Sequence, residues 1–294
     1  MEFLGKLKKD SRCELLTKSI NSKKENVQII RDIEKNLRLA YSRYDSIISK
    51  YNKEPQKTAF NLYSKALVNF YEYPPKDLSI FLKNRRKKHG LLECPFCGRP
   101  NHPTTLDHFI PKDFWPEYSI FPNNLVPQCH ICAPTKGKKY FCENSNKPLF
   151  LHPIFHQSLS KIKFNIEINF NTTTKKHKFN ISYSVPNLTL KNNLITERIK
   201  IHLKALNVHD NILLYCETNI LEWESQLRKE KFNLKTALTV KLQQTPKELH
   251  GNNWETALYT ALLATPEMIT HMERHCPKPS SQQTPQLART LISF

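Results

Sequence analysis

Four cysteines stand in two pairs, Cys94-Pro95-Phe96-Cys97 and Cys129-His130-Ile131-Cys132, with 31 residues between the pairs. A CxxC turn aims two sulfurs at one point, and two such turns complete the closed, tetrahedral four-thiolate site that holds structural zinc. A closed site leaves no open position for a substrate, so these cysteines are expected to hold the fold rather than to do chemistry. Their separation exceeds what a plain zinc ribbon needs, which marks an insertion. Inside it run Leu106-Asp107-His108-Phe109-Ile110-Pro111-Lys112 and Asn123-Asn124-Leu125-Val126-Pro127. An Asp-His pair on a strand or at its end can divide labour: the carboxylate holds a hard divalent ion and the imidazole takes a proton from water. That division of labour suits phosphodiester hydrolysis. Taken alone, an Asp-His dipeptide is more often a hydrogen-bonded structural pair.

Together, CxxC, LDHxxPK, NLVPxCxxC and the closing Lys136-Gly137 resemble the HNH endonucleases, the zinc-stapled bacterial members in particular. The resemblance is dense over 94–137 and fainter through Phe150-Leu151-His152-Pro153 and Asn253-Trp254-Glu255-Thr256-Ala257-Leu258-Tyr259, whereas residues 1–90 resemble no family. It implies a ββα-metal core in which two strands and a helix surround one catalytic Mg²⁺ or Mn²⁺. It also implies cleavage of nucleic acid, DNA ahead of RNA. Carried over residue by residue, His108 is the general base and Asp107 a ligand of the catalytic ion. Asn124 braces the loop between the strands, and Cys94, Cys97, Cys129 and Cys132 hold structural zinc. Lys136 stands near the helix start, where it either meets a phosphate or is an ordinary surface lysine. Similar proteins serve as effectors of anti-phage defence, at times beside an ATPase, so an ATPase partner is implied as well.

The sequence departs from the family pattern at Ala133. That position commonly carries Asn or His as the second protein ligand of the catalytic ion, and a methyl group cannot coordinate a cation. Three accounts stand: an introduced inactivating change, a naturally degenerate nuclease, or a neighbour such as His130 reaching in. The first is preferred, because the other motif residues are all present. Degeneracy supports a different function, an HNH-like module that binds nucleic acid or a protein without cutting. A ribonuclease acting on tRNA is a further alternative. Pro134 suits the first helical turn, so the scaffold is expected to survive. His152 reads as a packed histidine before a ligand, and His89 and His102 carry no assigned role.

The positioning elements are legible from periodicity. Val27, Ile30, Ile33, Leu37, Tyr41, Tyr44, Ile48 and Tyr51 predict one long amphipathic helix, its tyrosines serving as core rather than as a base-stacking surface. Phe60, Tyr63, Leu67 and Phe70 predict a second helix ended by Pro74-Pro75, and Leu78, Phe81 and Leu82 a third that leads into a basic run. Alternation through Ile162, Phe164, Ile166, Ile168 and Phe170, then Phe179, Ile181, Tyr183 and Val185, predicts a strand pair. Helical spacing returns from Thr196. The expected class is α+β: a basic helical region over 1–90, the core over 91–155, a hairpin and helices over 156–276, and a flexible tail over 277–294.

Formal charge is +19, and residues 1–90 hold 21 basic against 10 acidic side chains. Such a surplus attracts polyanions. Lys83, Arg85, Arg86, Lys87, Lys88, Lys136, Lys138 and Lys139 are the expected phosphate contacts. With 39% hydrophobic residues and 10% aromatics, the chain fits a folded protein. It shows no apolar run of membrane-spanning length, no secretory signal pattern and no GxxxxGK[ST] loop. A cytoplasmic setting, where thiols stay reduced, is expected.

Overall fold

The stripe that begins at Val27 folds as two helices rather than one. A computed structural model describes residues 1–9, 13–49, 54–144, 146–186 and 193–274. After α1 (Glu14–Ile20), α2 (Val27–Asp32) stops at Ile33, whose φ of −105° and ψ of 7° leave helical geometry for one residue. α3 (Glu34–Ser49) resumes at once. Because the Leu37 N–H still donates to the Ile33 carbonyl at 3.0 Å, the stripe keeps its register, and Ile30, Ile33, Leu37, Tyr41, Tyr44 and Ile48 are all buried. Tyr51, Cys276 and the tail from Pro277 lie outside the described residues. α4 (Ser64–Glu72) buries Leu67 and Phe70 and ends before the proline pair. α5 (Lys76–Lys87) runs further than expected and takes Arg85, Arg86 and Lys87 into its last turn, where cations complement the carbonyl end.

The motif region forms an antiparallel pair and a short helix. β1 (Thr105–His108) pairs with β2 (Leu125–Gln128), setting Asp107 opposite Val126 and His108 opposite Leu125. α6 (Cys132–Lys136) follows the second knuckle and carries Pro134 in its first turn, where the missing N–H costs nothing. A two-residue pairing of β3 (Phe141–Cys142) with β4 (Lys147–Pro148) comes next, without a sequence signal. The alternating segments form the expected hairpin, β5 (Lys163–Phe170) against β6 (His177–Ser184), which buries Phe164, Ile166 and Phe179. The remainder is helical: α7 (Asn193–Ala205), α8 (Val208–Lys229), α9 (Leu234–Gln243), α10 (Trp254–Leu263) and α11 (Pro266–Glu273). Asn233 and Asn253 cap α9 and α10 by accepting from the Thr236 and Thr256 amides. The class is mixed α and β, with three two-stranded sheets among the described residues. None of the described helices is long and apolar enough to cross a membrane.

Segments far away in sequence grip the motif. The Leu4 amide donates to the Pro153 carbonyl at 2.9 Å, and the Asn123 side chain exchanges two hydrogen bonds with the Lys9 backbone at 2.8 and 3.0 Å. From the other end, the Trp254 indole donates to the Cys97 carbonyl at 2.7 Å and His202 Nε2 to the Phe96 carbonyl at 2.6 Å. The first knuckle therefore sits between α10 and α7, with its backbone acceptors satisfied by buried side chains.

Candidate active site

Two turns converge on a four-thiol cluster. Cys94, Cys97, Cys129 and Cys132 are all buried, and their sulfurs lie within 4.8 Å of one another. Cys97 and Cys129 Sγ are 3.9 Å apart, far beyond a disulfide bond and close to the edge of about 3.8 Å that a tetrahedron of about 2.3 Å zinc–sulfur bonds requires. All four are free thiols. Hydrogen bonds from the other three thiols hold the Cys129 thiol far below its usual range, while burial pushes Cys97 up and hydrogen bonds push Cys132 up, so that without a cation the cluster favours one thiolate rather than four. The donor set fits a metal such as zinc. His89 and His102 brace the same knuckle: their rings stack at 4.4 Å, His89 Nε2 donates to the Pro103 carbonyl, and His102 Nδ1 to that of Leu91.

The cluster pins a cleft lined by Asp107, His108, Lys112, Asp113, Gln128 and Ala133, among others. His108 ends β1 and is buried, with Nε2 2.9 Å from the Ser119 carbonyl. A carbonyl only accepts, so the ring proton sits on Nε2 and the lone pair on Nδ1, which has no hydrogen-bond partner among the described residues. Burial pushes the His108 pKa down to about 3, so the ring is neutral and takes up a proton only weakly. α4 packs against two of these lining residues: Tyr71 meets the His108 ring edge-on at 4.3 Å, and Glu72 pairs with Lys112 at 2.9 Å.

Asp107 has one oxygen engaged and one not. Oδ1 lies 3.1 Å from the Lys136 ammonium, while Oδ2 is buried without a hydrogen-bond partner. Burial raises the Asp107 carboxyl above its usual range, and the Lys136 charge pulls against that rise. Lys136 itself is fully buried, donates also to the His108 carbonyl at 3.2 Å, and packs its ammonium over the rings of Phe109 and Phe150. It ties α6 to β1. Asn124 is saturated: Oδ1 accepts from the Ile110 amide and the Tyr44 hydroxyl, each at 2.7 Å, and Nδ2 donates to the Ile110 and Tyr118 carbonyls. Every polar atom of this amide bridges the loop between the strands.

The residues fit the closed thiolate site but not a two-ligand catalytic cation site. Asp107 offers one uncommitted oxygen and Ala133, on the same cleft, offers a methyl group. His130 does not make up the deficit, since its side chain is exposed and does not line the cleft.

Two expected phosphate contacts are corrected. Arg85 is buried, and its guanidinium donates to the carbonyls of Leu125, Leu7 and Pro122 at 3.0, 2.6 and 3.2 Å, which leaves no fork for a phosphate. Lys136 is neither a surface lysine nor open to a polyanion, because no part of it reaches solvent. Lys83, Lys87, Lys88, Lys138 and Lys139 are exposed and Arg86 is half-buried, with Lys138 paired to Asp113 at 2.8 Å. His152 is a packed histidine: its Nδ1 accepts from the Ile154 amide and its ring lies 4.1 Å from Phe109. Sequence reasoning missed Tyr71, which stands four residues after Leu67 and so shares the face of its core stripe, and the hydroxyl of Tyr44, whose place on a core stripe hid its polar partner.

No protein-family model matches the chain, and no solved structure does. Protein ea31 of Escherichia phage lambda is 48% identical to it over 68 residues. The match covers 23% of this chain and 22% of the length of that phage protein.

Proposed function

We propose that this chain carries the scaffold and general base of an HNH-type nuclease directed at phosphodiester bonds in nucleic acid, and that its divalent-cation site is broken at Ala133. The observation that carries the reading is the convergence of Asp107, His108 and Ala133 on one cleft beside a four-thiol cluster. His108 Nδ1 is the proton acceptor for an attacking water, and Ser119 fixes the tautomer that leaves it free. Asn124 and the Lys136–Asp107 pair hold the loop and helix around that base. DNA is taken as substrate ahead of RNA, with the exposed lysines at the end of α5 supplying salt-dependent grip. An ATPase partner and a role in phage defence belong to the same proposal and rest on family resemblance alone.

The test restores the missing ligand. Ala133→Asn and Ala133→His proteins should nick plasmid DNA with Mg²⁺ or Mn²⁺, and adding His108→Ala should abolish the nicking. Absence of cleavage in both restored proteins, folded and with metal on the thiols, sinks the nuclease reading. Ala133 and the Asp107–Lys136 pair favour one second reading, a module that binds nucleic acid without cutting. Retained DNA binding in restored but inactive proteins supports it. End-labelled DNA, RNA and tRNA in parallel separate the substrate classes.

A further inference from the structure

Asn124 is not the end of its own hydrogen-bond network. Tyr44 on α3 donates to Asn124 Oδ1 at 2.7 Å, and the Tyr44 oxygen lies 3.2 Å from His152 Nε2. The direction of this chain is fixed by backbone. The Ile154 N–H points at His152 Nδ1 at 3.2 Å, so that nitrogen must accept and the ring proton sits on Nε2. His152 Nε2–H therefore donates to the Tyr44 oxygen, and the Tyr44 hydroxyl donates onward to Asn124. Asn124 Oδ1 thus faces two donors, and its Nδ2 is turned to the carbonyls of Ile110 and Tyr118. Ser119, the next residue after Tyr118, supplies the carbonyl that holds His108 Nε2 at 2.9 Å. His152, Tyr44 and Asn124 are fully buried, so water cannot substitute for a lost member.

The geometry points to Tyr44 and His152 as positioning residues that set the tautomer and orientation of His108 through Asn124 and the Tyr118-Ser119 backbone. Neither touches the cleft. The relay joins a helix of the N-terminal region to a segment beyond the second knuckle, so the base is held by three separated stretches of chain. Without the Tyr44 hydroxyl, Asn124 Oδ1 keeps only the Ile110 amide, and the side chain is held by three hydrogen bonds instead of four. The Tyr118 carbonyl, which the Phe121 amide also holds at 3.2 Å, is then less firmly fixed, and the Ser119 carbonyl beside it shifts. His108 Nε2–H loses its defined acceptor, and the ring samples both tautomers.

The inference rests on the proposed nuclease reading only in its kinetic arm. In the full chain labelled with ¹⁵N-histidine, with His108 assigned by the signals missing from His108→Gln, nitrogen shifts at neutral pH should report a single Nε2–H tautomer. Tyr44→Phe keeps the ring and removes only the hydroxyl, and should move both His108 nitrogens toward tautomer-averaged shifts. His152→Gln retains a donor toward Tyr44 and should give a smaller displacement; it also serves if Tyr44→Phe does not fold. In the Ala133→Asn background, Tyr44→Phe should lower kcat by about tenfold with KM unchanged. A folded Tyr44→Phe protein with unshifted His108 nitrogens overturns the relay. Failure of Ala133→Asn to cleave overturns the nuclease reading instead, and the spectroscopic arm still decides this one.

Discussion

An ammonium with no solvent contact is stable only beside a negative charge, and Lys136 has one, Asp107 Oδ1 at 3.1 Å. Removing either partner strands the other in a low-dielectric site. Lys136→Met should therefore destabilise the protein by about 3–5 kcal/mol in urea unfolding, whereas Lys136→Met combined with Asp107→Asn should recover most of the loss. Equal losses in single and double variants would mean that Lys136 acts through packing on Phe109 and Phe150 alone. At this scale the sequence revealed types but not environments. Local spacing is enough to single out the cysteines, because knuckles are built from neighbours in the chain, whereas Asp107, His108 and Asn124 stood out through the motif that the chain resembles. Burial of Lys136 and Arg85 is set by carbonyls and carboxylates 28 to 78 positions away, which no periodicity records.

Among elements, the four thiols and the end of α5 make separable predictions. The cluster joins the turn before β1 to the turn before α6, so losing its metal unpins strand and helix together. The purified chain should hold one zinc, and Cys97→Ser with Cys129→Ser should lose it and melt about 10 °C lower or more. Unchanged melting without bound metal would show that packing alone holds the knuckles. At the end of α5, exposed Lys83 and Lys87, and Lys88 just after the helix, stand beside buried Arg85 in one basic run. Reversing Lys87 and Lys88 to Glu should weaken DNA binding and reduce the slope of log affinity against log salt by about 2, without shifting the melting temperature. Arg85→Met should do the reverse, since its partners are the Leu125, Leu7 and Pro122 carbonyls. Helical spacing was readable in this stretch, yet it does not separate the one arginine facing the core from its exposed neighbours. The break at Ile33 was equally hidden, because a one-residue departure leaves the apolar stripe intact.

For the molecule as a whole, neutral histidines packed between distant segments make stability depend on pH. His202 is the clearest: on α7, its Nε2–H donates to the Phe96 carbonyl at 2.6 Å and its Nδ1 accepts from the Leu151 amide at 3.1 Å. Both nitrogens are committed to backbone, and Arg198 stands near, so burial pushes the His202 pKa down to about 4. His156 is likewise pushed down to about 4 by burial. The ordinary value is 6.5, so below it the unfolded chain takes up a proton that the folded chain refuses. Stability is then fully present above pH 6.5, falls as pH drops from about 6.5 toward 4, and changes little further through these two groups once the folded forms also protonate. For His202 alone the loss across that window is on the order of 3 kcal/mol. Denaturation midpoints at pH 7.5, 5.5 and 4.5 measure it. A His202→Gln protein, less stable at neutral pH but with no proton to gain at this position, should show a visibly flatter profile over the same range. If both proteins lose stability in parallel as pH falls, acid sensitivity lies elsewhere in the chain, and the contact joining α7, the first knuckle and Leu151 is not what couples folding to protonation.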